Sequence, residues 1–302
     1  MRRRADLRRR FWPRRVGFGC VLFFGQFLLA VHLEAASSDE AAPNRVSPQV
    51  RSDRSLQWCL DTLQKGGLEQ QLVALQELKE AGPAAAAATP ILCDLLARSD
   101  GATDHILLAS ILDVFRSLGA DAAPAAETLS RLLPHRSQLN TGRDKMLVVR
   151  LRAYIFVTLS EIGFPDSALP ALLDSLAHVD ERVPAVEIGS AARAVRSLGP
   201  RGHQFAPYLL GTLLERFSEE EFSLEGYGPK FSPKDATTVQ LESVRSLGRI
   251  SSAKDHQVSE VLLRLAGDRG DDLDPRVVQE AKNALKLISS RDSRRAVNQV
   301  GR

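Results

Sequence analysis

Five glycines close stretches of helical periodicity along this chain, and that repetition restricts it to an architecture made by stacking one small unit. Gly82 ends Leu-Lys-Glu-Ala-Gly, Gly119 ends Arg-Ser-Leu-Gly, Gly163 ends Ser-Glu-Ile-Gly, and Gly199 and Gly248 each end Val-Arg-Ser-Leu-Gly. Successive glycines lie 37, 44, 36 and 49 residues apart. Ten residues after the first four stand Leu92, Leu129, Leu173 and Leu209, each preceded by a proline: Pro90, Pro124, Pro170 and Pro207. Further leucines follow at helical spacing, such as Leu95 and Leu96, Leu132 and Leu133, Leu176, and Leu213 and Leu214.

Each unit has a physical reading. A first helix carries one apolar stripe, as in Leu107, Ile111, Val114, Phe115 and Leu118, the spacing that puts these side chains on a single face. Glycine then takes the left-handed position that ends the helix. Proline opens the second helix, where its missing N–H costs nothing. One such hairpin cannot bury both faces, so the units must stack around a continuous core. The expected fold is all-α: an α-α superhelix, a solenoid of about five to six helical hairpins. The two long intervals predict inserted loops at 134–148 and 217–237. The Ala84–Ala88 run fits the turn and the start of a second helix between Pro83 and Pro90. Leu56–Leu68 supplies an N-terminal cap helix or half repeat, and the segment from Asp274 to Ile288 repeats the first-helix pattern without a full partner.

Two segments carry a family resemblance. Asp-Leu-Asp-Pro-Arg-Val-Val-Gln-Glu-Ala-Lys-Asn-Ala-Leu-Lys-Leu-Ile (272–288) resembles the first helix of a HEAT repeat. Leu-Gly-Ala-Asp-Ala-Ala-Pro-Ala-Ala-Glu-Thr-Leu-Ser-Arg-Leu-Leu (118–133) is similar to the hairpin and second helix of HEAT repeats in exported bacterial proteins. The resemblance covers roughly 55–288 and implies a HEAT-like α-solenoid that binds proteins. It names no partner, because function is grafted onto folds.

The organisation expected along the chain is an export signal at 1–36, a disordered spacer at 37–53, the solenoid at 54–288 and a disordered tail at 289–302. The leader has the parts of a secretory signal: an arginine-rich stretch to Arg15, an apolar run over Val16–Leu33, and small residues around Ala35 and Ala36. That predicts a periplasmic or extracellular protein. The alternative is an uncleaved anchor, since 18 apolar residues stand near the lower limit for a span. Arg8-Arg9-Arg10-Phe11 also brushes the twin-arginine pattern. The net charge of +3 comes from eight leader arginines; without the leader the remainder carries −3, from 32 basic and 35 acidic residues. A nucleic-acid partner is therefore not expected. Cys20 sits in the leader, leaving Cys59 and Cys93 among helical apolar residues, either as buried thiols or, in an oxidising compartment, as a disulfide between neighbouring helices.

The residues that carry chemistry are scattered. Of six histidines, His32 is in the leader, and His105, His135, His178, His203 and His256 are spread along the repeats. None has the i, i+4 spacing of a zinc helix, and no nucleophile elbow, phosphate loop or dinucleotide fingerprint is present. Asp272 and Asp274 fit the start of a helix at Pro275, where a capping oxygen and negative charge are both favourable. No catalytic residue, cofactor or metal is expected. The expected function is a non-catalytic scaffold that binds a protein partner outside the cytoplasm. A membrane-tethered spacer is the alternative, and a solenoid-based lyase or glycosylase a more remote one. The second inserted loop concentrates aromatics (Phe217, Phe222, Tyr227 and Phe231 within fifteen residues). Loops on rigid scaffolds carry binding and aromatics anchor interfaces, so Phe222, Tyr227 and Phe231 are candidate partner contacts. The competing reading is that such aromatics fold back to cover a gap between repeats.

Overall fold

The computed structural model describes residues 48–177, 184–214, 222–223, 236–267 and 273–300. These belong to one compact unit, Val46–Arg302. Its helices are α1 (Pro48–Lys65), α2 (Leu68–Ala81), α3 (Thr89–Arg98), α4 (His105–Leu118), α5 (Ala126–Leu132) and α6 (Lys145–Ile162). They continue as α7 (Leu169–Ala177), α8 (Ala185–Ser197), α9 (Ala206–Leu214), α10 (Val239–Ile250), α11 (His256–Gly267) and α12 (Pro275–Val300). Five hairpins result (α2/α3, α4/α5, α6/α7, α8/α9 and α10/α11), with α1 before them and α12 after.

The first helices form one layer, each packed on the next in the order α2, α4, α6, α8, α10, α12. The second helices form another, α3 against α5, α7 against α9 and α9 against α11. The chain is thus an all-α superhelical stack. Leu75, Leu78, Leu92, Ile111, Phe115, Leu129, Phe156, Leu172, Val195, Leu209, Leu247 and Leu262 run as one core through all five hairpins. Helix α6 lies between α4 and α8 and also touches α5 and the 3₁₀ segment before it, so every residue from Leu151 to Leu159 is buried. A helix covered on all sides has no need of a polar face.

Segments of 3₁₀ helix join the helices of the first four hairpins: Gly82–Ala88, Gly119–Ala125, Asp166–Ala168 and Gly199–Phe205. Their period of three turns Ala85 and Ala88, Ala122 and Ala125, and Gly202 and Phe205 inward, all buried. That is the structural use of the alanine run. Gly82, Gly119 and Gly199 stand at the helix ends with φ of 55°, 57° and 55°, as the repeat pattern predicts. The Gly82 N–H donates to the Leu78 and Lys79 carbonyls, and the Gly119 N–H to those of Phe115 and Arg116.

Several expectations are corrected. Gly248 ends nothing: α10 continues to Ile250 and stops at Ser251. Its lack of a side chain serves packing, since a Cβ there would lie 2.6 Å from the Ala284 Cβ of α12. In the third unit the buried leucine is Leu172, at 0% exposure, while Leu173 is 40% exposed. The 3₁₀ segment there is three residues long rather than seven, so the count from glycine to core leucine drops by one. Pro124 lies inside the 3₁₀ segment before α5, whereas Pro90, Pro170 and Pro207 each take the second position of a helix. The first inserted loop is 134–144 rather than 134–148, because the Asp144 carboxylate caps α6 by accepting from the Met146 and Leu147 N–H groups. Asp104 caps α4 in the same way through Ile106 and Leu107.

That first loop is built into the stack. Leu139 is buried, the Asn140 amide donates to the Leu132 and Pro134 carbonyls, and Arg143 donates to the carbonyls of Asp100 and Thr103. At the chain ends, residues 48–53 of the expected spacer already belong to α1, and the expected tail from 289 is helical to Val300. Most of the second inserted loop and all of the leader lie outside the described residues. What is described of the loop is a two-residue antiparallel pairing, β1 (Phe222–Ser223) with β2 (Ala236–Thr237), in the register Phe222 to Thr237.

A candidate interaction site on the first-helix layer

The repeated Arg-Ser-Leu-Gly motif has a second consequence beyond ending helices. Residues at one motif position stack in register, so Arg116, Arg196 and Arg245 fall near the C-terminal ends of the first helices α4, α8 and α10. In α6 the corresponding segment is Ser160-Glu161-Ile162-Gly163, which interposes a carboxylate. An ion-pair ladder results. Lys79 of α2 meets Asp113 of α4 at 2.8 Å, and Arg116 of α4 meets Glu161 of α6 at 3.0 Å. Arg193 of α8 reaches the same Glu161 at 2.9 Å. Further along, Glu242 of α10 faces Arg245 at 2.8 Å and Arg196 of α8 at 3.4 Å, with Glu280 of α12 4.0 Å from Arg245.

Charge is not balanced along this ladder. Glu161 is shared by two guanidiniums, and so is Glu242. Arg196 is close to the Glu242 Oε2 without the geometry of a hydrogen bond, and that buried oxygen has no hydrogen-bond partner among the described residues. We read the contact as an ion pair by proximity. Burial, together with the like charges of Arg193 and Arg245, lowers the Arg196 pKa below the usual guanidinium value despite Glu242 and Glu280. It remains a cation at neutral pH, but a poorly compensated one. Arg116 differs. Burial works against its charge, yet the hydrogen bonds it donates to Glu161 and contact with Tyr154 outweigh that and raise its pKa. Burial and the neighbouring Asp113, whose carboxylate accepts from the hydroxyl, push the Tyr154 phenol up.

An open recess of about 530 Å³ lies where this ladder is most positive, lined by Ser160 and Glu161 of α6, Arg193, Arg196 and Ser197 of α8, Leu198 and Gly199 beyond it, and Arg249 of α10. Ser160 and Ser197 donate their hydroxyls to the carbonyls of Val157 and Ala194, which leaves their lone pairs and no free proton facing outward. Arg249 is exposed, and among the described residues no ion pair of its guanidinium is found. The recess therefore presents cations on a floor of helix ends. Its volume falls in the range of ligand-binding clefts.

The three aromatics expected to contact a partner are not brought to this recess by anything described. Phe222 is in β1, which touches α8, while Tyr227 and Phe231 lie outside the described residues. Of the histidines, His135 stands 3.6 Å from Asp174 and His203 2.9 Å from Asp255, both at the surface; His178 lies outside the described residues. Among the described residues no group of three or more His, Cys, Asp or Glu side chains is gathered to hold a metal ion. Asp274 caps α12 through the Arg276 N–H, while Asp272 lies outside the described residues. Cys59 is buried on α1 and Cys93 half-buried on α3, as separate thiols rather than a disulfide. Burial raises the Cys93 pKa against a hydrogen bond with Thr128 of α5. No helix among the described residues is long and apolar enough to cross a membrane.

No family model and no curated protein matches the sequence. Among solved structures, the chain is similar to the crystal structure of an engineered protein at 21% identity, over 78% of this chain and 96% of that one, with a TM-score of 0.46.

Proposed function

We propose that the chain is a non-catalytic docking scaffold, a HEAT-like α-solenoid that holds a protein partner outside the cytoplasm. The observation that carries this reading is the arginine-lined recess, because its walls come from three consecutive hairpins. Only the stacked array makes it, as expected of a repeat protein that binds on an extended surface. Arginine is favoured at protein interfaces for its planar, multi-donor head group. The signal-like leader supports export, and the HEAT-like segments at 118–133 and 272–288 support the partner class.

The test is capture from the native extracytoplasmic fraction with wild-type protein and an Arg249→Glu/Ser197→Glu variant. Both positions are exposed, so the variant keeps the fold. The reading predicts one partner that the variant no longer retains at an unchanged melting temperature. Equal capture by both would contradict docking at this face.

A further inference from the structure

We infer that the recess between α6, α8 and α10 takes the carboxylates of an acidic polypeptide segment, with Arg196 and Arg249 as the contacting cations. This rests on the docking reading above and specifies its ligand. Arg193 is committed to Glu161 at 2.9 Å, and Arg116 holds the same carboxylate from the other side through two hydrogen bonds. These two are therefore spent on the stack. Among the described residues, Arg196 has only the 3.4 Å approach to Glu242 as an ion pair, and Arg249 has none. An incoming carboxylate would supply Arg196 with the compensation that Glu242 provides incompletely, in the paired geometry guanidinium prefers.

Other features favour a carboxylate on a chain over an isolated ion. The recess is wide open, and at about 530 Å³ it is far larger than one small anion. Its cations are spread over α8 and α10 rather than converging from all sides. The ladder also continues past the recess, through Arg245 at α10 toward Glu280 of α12, so an extended segment meets alternating charge beyond the first contact. Leu198, whose side chain is buried, and Gly199, which has none, give one wall a low apolar edge.

The experiment is a titration of the purified protein with fluorescently labelled hexaglutamate, hexaglutamine and hexalysine, repeated with inorganic phosphate as competitor. Expected is one-to-one binding of hexaglutamate alone, weakening as sodium chloride is raised because exposed charges are screened. Affinity should fall about tenfold or more, roughly the loss of one charge-assisted pair, in Arg249→Glu and in Arg196→Gln. The exposed Arg150→Glu, elsewhere on α6, should bind as wild type, and melting curves should verify that each variant is folded. Equal binding of hexaglutamate and hexaglutamine, or equal loss in Arg150→Glu, would overturn the assignment. So would phosphate binding that depends on Arg196 and Arg249 while hexaglutamate does not compete, since the occupant would then be a free anion. If the peptide fails but native capture remains sensitive to Arg249→Glu/Ser197→Glu, the acidic-segment assignment falls and the scaffold reading stands. Insensitivity in both removes both.

Discussion

Arg152 of α6 and Glu187 of α8 meet at 2.9 Å with side chains only 1% and 2% exposed, so the ion pair joining the third and fourth hairpins is sealed from water. Ser175 of α7 adds its hydroxyl to the Glu187 Oε1 at 2.7 Å, Arg152 donates to Ser175 at 3.1 Å, and the Leu133 carbonyl accepts from the same guanidinium. Four elements converge on one buried charge pair. Glu187→Ala should lower stability by about 3–5 kcal/mol in denaturant titration, because it leaves the buried Arg152 cation facing the more distant and half-exposed Asp174, 3.7 Å away, in place of a sealed partner. An Arg152→Met/Glu187→Leu pair, which removes both charges at similar volume, should lie within about 1–2 kcal/mol of wild type. If the double variant is as unstable as the single one, the pair is not acting through its desolvated charge.

Two glycines in helices should answer the same substitution with opposite signs. A Cβ at Gly248 would stand 2.6 Å from the Ala284 Cβ and 2.8 Å from its Cα, and backbone cannot give way cheaply. Gly248→Ala should therefore destabilise by about 1–3 kcal/mol, overpacking outweighing the gain in helix propensity. At Gly211 in α9 nothing lies within 4 Å of the new Cβ, so Gly211→Ala should stabilise by about 0.5–1 kcal/mol. Thermal melts of the two variants decide it.

Asp255 links the fourth and fifth hairpins at acid-sensitive cost. Burial opposes its charge, but the Ser252 N–H and hydroxyl and the His203 ring hold the carboxyl below its usual pKa. A folded pKa below the unfolded one means the contribution is fully present above the unfolded value of about 3.9 and is lost as pH falls through the folded value. Melting temperatures of wild type and Asp255→Asn should differ most above about pH 4 and converge toward pH 2. A gap that persists unchanged at pH 2 would show that ionisation of Asp255 is not its source.

Processing gives a simple mass test of the export proposal. Cleavage near Ala35 or Ala36 removes about 3.5–4 kDa, from some 35 residues of roughly 110 Da each. Intact-mass measurement of the protein from its native host should find that loss. Full-length chain in the membrane fraction would favour an anchored spacer.

The hairpin architecture was legible because its signals are local. Helix-ending glycines at 82, 119 and 199 and prolines at 90, 170 and 207 act within a turn of themselves, so spacing alone reveals them. Leu173 and Gly248 depart from the repeat pattern because the same residue types answer to non-local demands. A shortened 3₁₀ link moved the core position to Leu172, and the approach of α12 claimed Gly248. Arg152 was invisible as a core residue, since nothing in Val-Arg-Leu-Arg-Ala marks one arginine as buried and the other as exposed. The recess had a readable trace in the recurring Arg-Ser-Leu-Gly motif. Turning it into a site required knowing that successive units stack in register and that Glu161 is shared. Phe222, Tyr227 and Phe231 stand out by composition alone, and aromatic enrichment in a loop does not by itself distinguish docking from packing.

The docking account is tested most directly by site-specific photo-crosslinking in the native host, with a photoreactive residue placed at Ser197 on the recess rim or at Leu263 on α11 in the other layer. Both positions are exposed. The account predicts one discrete crosslinked protein at Ser197, mapped by mass spectrometry to an acidic stretch of that partner, and none at Leu263. A partner captured from Leu263 and absent at Ser197 would contradict it.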